Sequence, residues 1–274
     1  NIMMSMKGDG KPISFIEDCA VPLEDLAEYT DRLTNVFTKH GTKGTWYAHA
    51  SVGCLHVRPV LNLKEDDGAR TMRAIAEEAF EMVREYKGSH SGEHGDGIVR
   101  SEFHRPMFGD RMIANFEEVK DLFDPQGIMN PGKIVHPPKF DDRSLLRFKP
   151  GYEPLKLNTA LDWSEWGGFS GAIEMCNNNG ACRKFDASVM CPSYRATLDE
   201  KHLVRGRANT LRLALSGQLG ENAFTSEEMK ETMQLCVGCK GCFQQGCPFW
   251  NEEQRRVVPL SCRHPTGLDR LVRN

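Results

Sequence analysis

Much that would assign this chain to a common class is missing from it, and each absence excludes something. With 39% hydrophobic residues in 274, no apolar run approaches the roughly 20 residues that a membrane span needs. Positive charge is not in excess, because 35 Lys and Arg face 38 Asp and Glu for a formal net charge of −3. A sequence pI near 6.3 sets aside general nucleic-acid binding, which favours a basic face. No secretory leader is recognisable at the start, so the ten cysteines are expected in a reducing compartment that keeps thiolates free for metal. There is no low-complexity tract, and no repeat apart from the cysteine sets. No glycine run follows a strand and opens a helix in dinucleotide-binding order. The chain starts at Asn1 in an apolar stretch and loses apolar periodicity after Glu253, so a piece of a longer protein, open at both ends, is expected.

What is present is cysteine in two sets. One reads Cys236-x2-Cys239-x2-Cys242-x4-Cys247-Pro248, and the looser one ahead of it reads Cys176-x5-Cys182-x8-Cys191-Pro192. Two thiolate sets, each closed by Cys-Pro, carry the signature of cubane iron–sulfur clusters, with the last cysteine of each set serving the other cluster. Three thiols within one tight turn leave no room for independent disulfides. Zinc is the rival, since Cys-x2-Cys pairs also bind it, although zinc motifs rarely use a third cysteine at the same spacing. Cys236, Cys239 and Cys242 fit three corners of one 4Fe-4S cubane, with Cys191 as the fourth. Cys247 then crosses to join Cys176 and Cys182. That first cluster is a ligand short, because Asn179 stands where the middle cysteine is expected. It is left as a three-iron form, as one that recruits Cys262, or as one that does not assemble. Between the sets, Arg205-Gly206-Arg207 opens a helix whose positive charge either raises a cluster potential or is an ordinary solvated helix end. Cys19 and Cys54 read as buried small residues.

Periodicity places a strand at 13–19 and a helix at about 23–40, with Leu26, Leu33, Val36 and Phe37 on one face. A hairpin follows over 45–61, then a helix over 66–87 and two shorter helices near 105–122. Residues 123–132 are turn chemistry, prolines interrupt 137–160, and helices near 199–216 and 226–235 link the cysteine sets. If Ser51 to Cys54 form the hairpin loop, Ala50 pairs with Leu55 and His49 lies opposite His56. Their Cβ atoms would then be roughly 4.5–5.5 Å apart, close enough to grip one divalent ion. Glu93, in the glycine-broken loop 92–97, is the best completing carboxylate, and His94 beside it either supports a ligand from behind or acts as a general base. Two histidines in a hairpin are, taken alone, more often ordinary residues.

Three stretches together are more specific: Tyr47 to Pro59, Ser91-Gly92-Glu93-His94-Gly95-Asp96-Gly97, and Asp124-Pro125-Gln126-Gly127-Ile128-Met129-Asn130-Pro131-Gly132-Lys133. They resemble the C-terminal half of FAD-linked D-2-hydroxy-acid dehydrogenases of the vanillyl-alcohol-oxidase type. That group includes D-lactate dehydrogenases, the flavin-bearing polypeptide of glycolate oxidase and D-2-hydroxyglutarate dehydrogenase. The cysteine module resembles the iron–sulfur partner fused to large bacterial members.

The resemblance implies an α+β fold. An antiparallel sheet flanked by helices would occupy 1–137 as a cap on FAD held mainly by an upstream domain. A linker would span 138–160, and a mainly helical, two-cluster ferredoxin-like domain 161–274. It further implies that His49, His56 and Glu93 bind zinc or manganese, and that His94 takes the substrate hydroxyl proton as hydride leaves for the flavin. Arg58 is either a clamp on the substrate carboxylate or an ordinary solvated arginine, and Asn130 matches the family's turn near the flavin. The implied substrate is a D-2-hydroxy acid of the lactate, glycolate or 2-hydroxyglutarate class. Electrons would pass through the clusters to a quinone, cytochrome or carrier protein. An oligomer in the cytoplasm, or seated peripherally at the inner membrane, is the matching expectation. A non-catalytic electron-transfer protein and a zinc-stabilised interaction module stand as alternatives.

Overall fold

A computed structural model describes residues 6–159, 162–185 and 191–237. The chain divides into two compact units, one over Asp9–Pro150 and the other over the described residues from Gly151 on together with residues 6–8. Among the described residues no helix is long and apolar enough to cross a membrane.

In the first unit a small antiparallel sheet is organised around β4 (Cys54–Leu61). Its partners are β3 (Gly44–His49), β1 (Lys11–Pro12) and β2 (Cys19–Ala20), all antiparallel to it. Helix α1 (Leu26–Lys39) buries Tyr29, Leu33, Val36 and Phe37, and α2 (Asp66–Glu85) buries Met72, Ile75, Ala76, Ala79 and Val83 among others. Both stripes recur at three- and four-residue spacing, which puts them on one helical face. They close on Ile16, Leu55, Val57 and Leu61 to form the core. The shorter helices α3 (Gly97–Arg100), α4 (His104–Phe108) and α5 (Asp110–Phe123) follow. Phe103 and Phe140 pack against the same core.

Two expectations need correction. The 13–19 segment is not one strand: only its flanks pair, with Lys11 opposite Leu61 and Cys19 opposite Leu55. Between them Asp18 takes φ 86°, which breaks the alternation of a strand and turns its carboxylate inward. The hairpin is also offset by two residues. Tyr47, not His49, faces His56, while His49 pairs with Cys54. The cause is a 3-10 turn over Ala50–Val52 that ends on Gly53 at φ 68°. A Cβ at Gly53 would lie 2.0 Å from the Val21 carbonyl oxygen, so the turn needs glycine for space as well as for φ. Gly53→Ala should therefore cost at least about 1–2 kcal/mol, read as a lower urea midpoint at unchanged slope.

The second unit is helical, with α6 (Phe169–Glu174), α7 (Pro192–Thr197), α8 (Val204–Leu215) and α9 (Glu227–Gln234). Trp163, Trp166, Phe169, Ile173, Leu211, Leu215, Met229 and Met233 share its main core. Cys191, Tyr194 and Leu203 form a smaller one, with Cys182 packed against it.

Candidate functional site

The loop 91–96 is held against the sheet from below by one buried carboxylate. Asp18 is fully buried and accepts from the Glu93 amide at 3.0 Å, the His94 amide at 2.8 Å and the Ser91 hydroxyl at 3.3 Å. The Cys54 thiol donates to it at 3.4 Å, and Arg100 stands 3.4 Å away. Burial pushes the Asp18 carboxyl toward neutrality, and the two amides, the thiol and the guanidinium outweigh it, so its pKa is lowered. Gly92 fits here because a Cβ would meet the Cys54 sulfur at 2.9 Å and the Asp18 carbonyl oxygen at 3.2 Å.

Anchored in this way, the loop delivers Glu93 onto the hairpin. Glu93 Oε1 lies 3.1 Å from His49 Nε2 and 3.0 Å from His56 Nε2. The offset register does not separate the two histidines, because a shift of two residues keeps every side chain on its face. Their rings stand edge-on with centroids 5.1 Å apart. His56 is buried, and neither of its ring nitrogens makes a hydrogen bond. An orphaned buried imidazole beside a carboxylate and a second imidazole is a donor set that suits a divalent cation. Among the described residues, the groups whose ligand atoms all lie within 4.8 Å of one another are Asp18, Cys54, His56 and Glu93, then Glu17, His56 and His94, and then His90, Asp96 and His104; His49 reaches Glu93 but belongs to none of them.

His94 is half-exposed, with Nε2 3.5 Å from Glu93 and Nδ1 4.0 Å from Glu17. Its ring stacks on one face of His56 at 4.7 Å, and Tyr47 stacks on the other at 4.5 Å. His56 thus packs against two rings beside Glu93.

Glu17, which sequence reasoning missed, is the second buried carboxylate. Arg58 Nε donates to Glu17 Oε2 at 2.6 Å and Arg58 Nη2 to Oε1 at 2.8 Å. The fork expected to hold a substrate carboxylate, or to lie solvated, thus faces Glu17. Burial works against ionisation of Glu17, yet hydrogen bonds from Arg58 and Ser14 and the Arg58 charge lower its pKa from 4.5 to about 2. The pair's stabilisation is complete above 4.5 and is lost as pH falls through about 2. Glu17→Gln should flatten the fall of unfolding free energy between those values, measured by urea titrations at stepped pH.

A third carboxylate, Asp96, sits among His104 Nε2 at 2.8 Å, His90 Nε2 at 3.1 Å and Arg100 Nε at 3.1 Å. Burial opposes its ionisation, but the two imidazoles hold its pKa well below the usual range. With a guanidinium already on that carboxylate, the cluster serves to brace the loop after His94. Asn130, the expected flavin-side residue, takes φ 48° in an exposed turn. Buried Asp124 builds that turn, accepting from the amides of Ile128 at 3.0 Å and Met129 at 2.9 Å.

Of the six described cysteines, four lie in the second unit, Cys176, Cys182, Cys191 and Cys236, and none of the four is in a disulfide among the described residues. Cys239, Cys242, Cys247 and Cys262 lie outside the described residues. Cys191 is buried at the start of α7, and Cys182 packs against the same small core. Burial raises the Cys182 thiol pKa, with the Cys176 thiol adding to the rise and Arg205 opposing it.

Comparison with known proteins gives two family matches. Residues 2–134 match the model of "FAD linked oxidases, C-terminal domain", and residues 172–251 match a "4Fe-4S dicluster domain". The chain is 33% identical to D-2-hydroxyglutarate dehydrogenase of Escherichia coli, over 90% of this chain and 27% of that protein. It is 31% identical to the protein of that name in Pseudomonas putida, with the same coverage. Glycolate oxidase subunit GlcD of Bacillus subtilis is 27% identical over 45% of this chain and 26% of its own length. The chain therefore spans about a quarter of the length of these curated relatives.

Proposed function

We propose that the chain is the substrate-side and electron-exit part of a D-2-hydroxy-acid dehydrogenase, a reading supported by the match of residues 2–134 to the FAD linked oxidase C-terminal domain model and of residues 172–251 to the 4Fe-4S dicluster domain model. The observation that carries this reading is the convergence of His49, His56 and Glu93, with His94 beside them. The three ligands would hold zinc or manganese, which supplies Lewis acidity toward a hydroxyl and a carboxylate oxygen. Bound flavin supplies the hydride acceptor, and the clusters supply a path for single electrons.

The chain's own residues do the rest. Glu93 and the two imidazoles fix where the hydroxyl oxygen sits. His94, exposed on the open side and stacked on His56, is placed to take the hydroxyl proton. Glu17 anchors Arg58 and closes the inner side of the site, leaving the outer side for substrate. Exposed Ile128 and Met129 beside Asn130 offer a surface apolar enough to meet a flavin ring. The Escherichia coli and Pseudomonas putida relatives named for 2-hydroxyglutarate match over 90% of this chain, so D-2-hydroxyglutarate is the first substrate to try. The acceptor beyond the clusters is a quinone, cytochrome or carrier protein, and the protein is read as a cytoplasmic or peripherally seated oligomer.

The test is made on the complete, flavin-loaded protein. Adding D-2-hydroxyglutarate should bleach the flavin, chelation should abolish the bleaching, and zinc or manganese should restore it. Bleaching that survives full removal of divalent metal would refute the metal role. A protein that only transfers electrons would show dithionite-sensitive cluster absorbance and no response to any hydroxy acid. A zinc-stabilised module would be colourless.

A further inference from the structure

Arg207 is one of the most completely enclosed side chains in the described protein, at 1% exposure. A buried guanidinium costs several kcal/mol unless an anion faces it. Among the described residues no carboxylate is paired with it. Its contacts are Nε to the Thr232 carbonyl oxygen at 2.9 Å, Nη2 to the Ser193 hydroxyl at 3.0 Å and Nη1 to Cys191 Sγ at 3.4 Å. Among the described residues, Cys191 is thus the one hydrogen-bond partner of Arg207 that is able to carry negative charge.

We propose that Arg207 is the buried counter-charge of the iron–sulfur cluster anchored at Cys191 and sets that cluster's reduction potential. The proposal rests on the reading of Cys191 as a cluster ligand, and the surroundings of the sulfur agree with it. In the free thiol, Sγ donates to the His202 carbonyl oxygen at 3.0 Å. The Ser193 hydroxyl donates to the same oxygen at 2.7 Å, so that carbonyl stays satisfied once the thiol proton is gone. Arg207 and the Ser193 hydroxyl, 3.3 Å from Sγ, remain as the polar neighbours of a thiolate. One-electron reduction would add a negative charge to the cluster, opposite the buried guanidinium of Arg207. A fixed positive charge in a dry site favours the reduced form. The neighbouring Arg205 is committed elsewhere, to Glu200 at 2.7 Å and to the Asn178 carbonyl oxygen at 3.1 Å.

The experiment is a redox titration of the complete protein, followed by electron paramagnetic resonance, on wild type, Arg207→Gln and Arg207→Lys. The cluster concerned is identified as the signal that Cys191→Ser also alters. At the wild-type midpoint, Arg207→Gln should lower the reduced-to-oxidised ratio by about tenfold, which for one electron is about 59 mV. Arg207→Lys keeps the charge and should stay within about threefold. If Arg207→Gln fails to hold the cluster, retention of iron and potential in Arg207→Lys carries the same conclusion. An unchanged ratio in Arg207→Gln, or an equal loss in both variants, overturns the inference while leaving the cluster reading intact. A wild-type protein without iron overturns both.

Discussion

His94→Asn should lower hydroxy-acid-dependent flavin reduction by about 10²–10⁴-fold while changing global stability by no more than about 0.5 kcal/mol. The contrast follows from where His94 stands. Its backbone amide is part of the Asp18 anchor and survives the substitution. Its side chain is half-exposed and contributes a stacked ring and no buried hydrogen bond. Metal content should also be unchanged, because His49, His56 and Glu93 are untouched. Rapid-mixing measurement of flavin bleaching, with metal analysis and urea unfolding on the same preparation, separates the outcomes. Reduction at the wild-type rate would remove His94 as the base, and loss of metal together with activity would move it into the ligand set.

The second large effect belongs to a residue that touches no substrate. Asp18→Ala should destabilise the first unit by about 3–5 kcal/mol. The substitution strands the amides of Glu93 and His94 and the Ser91 hydroxyl together, and removes a carboxylate from Arg100. Each buried donor left unmade costs about 1–3 kcal/mol. Amide hydrogen exchange at Glu93 and His94 should speed up with the loss. A stability change under about 1 kcal/mol would show that the loop holds itself in place without the carboxylate.

Sequence pattern was enough wherever the reason for a structure is local. Helices α1 and α2 were legible because Leu33, Val36 and Phe37, or Met72, Ile75 and Ala79, recur with the helical period and need only one apolar surface to bury them. The hairpin and the shared face of His49 and His56 were legible for the same reason. Local pattern failed where the partner is remote. The segment from Ile13 to Cys19 reads as a strand, and nothing nearby tells that Asp18 turns in to meet amides 75 and 76 residues later. The signal that was available was two adjacent acids inside an otherwise buried segment. Arg58 misled in the same way, since its partner lies 41 residues upstream. Arg207 was noticed as a charge beside the cysteines, but its complete burial depends on Thr232 and Ser193, one on either side in sequence.

The hairpin bears on how this site tolerates change in length. What matters to the ligand pair is the pairing of β3 with β4, which runs as far as His49 opposite Cys54, more than the length of the turn. Residues added within Ala50–Gly53 can bulge outward while the strands keep their pairing, since hairpins close with odd and even loops alike. A one-residue slip of the pairing itself would send a ligand to the opposite side of the sheet. Length changes are therefore costly inside the two strands, where they alter no catalytic residue and still break the site.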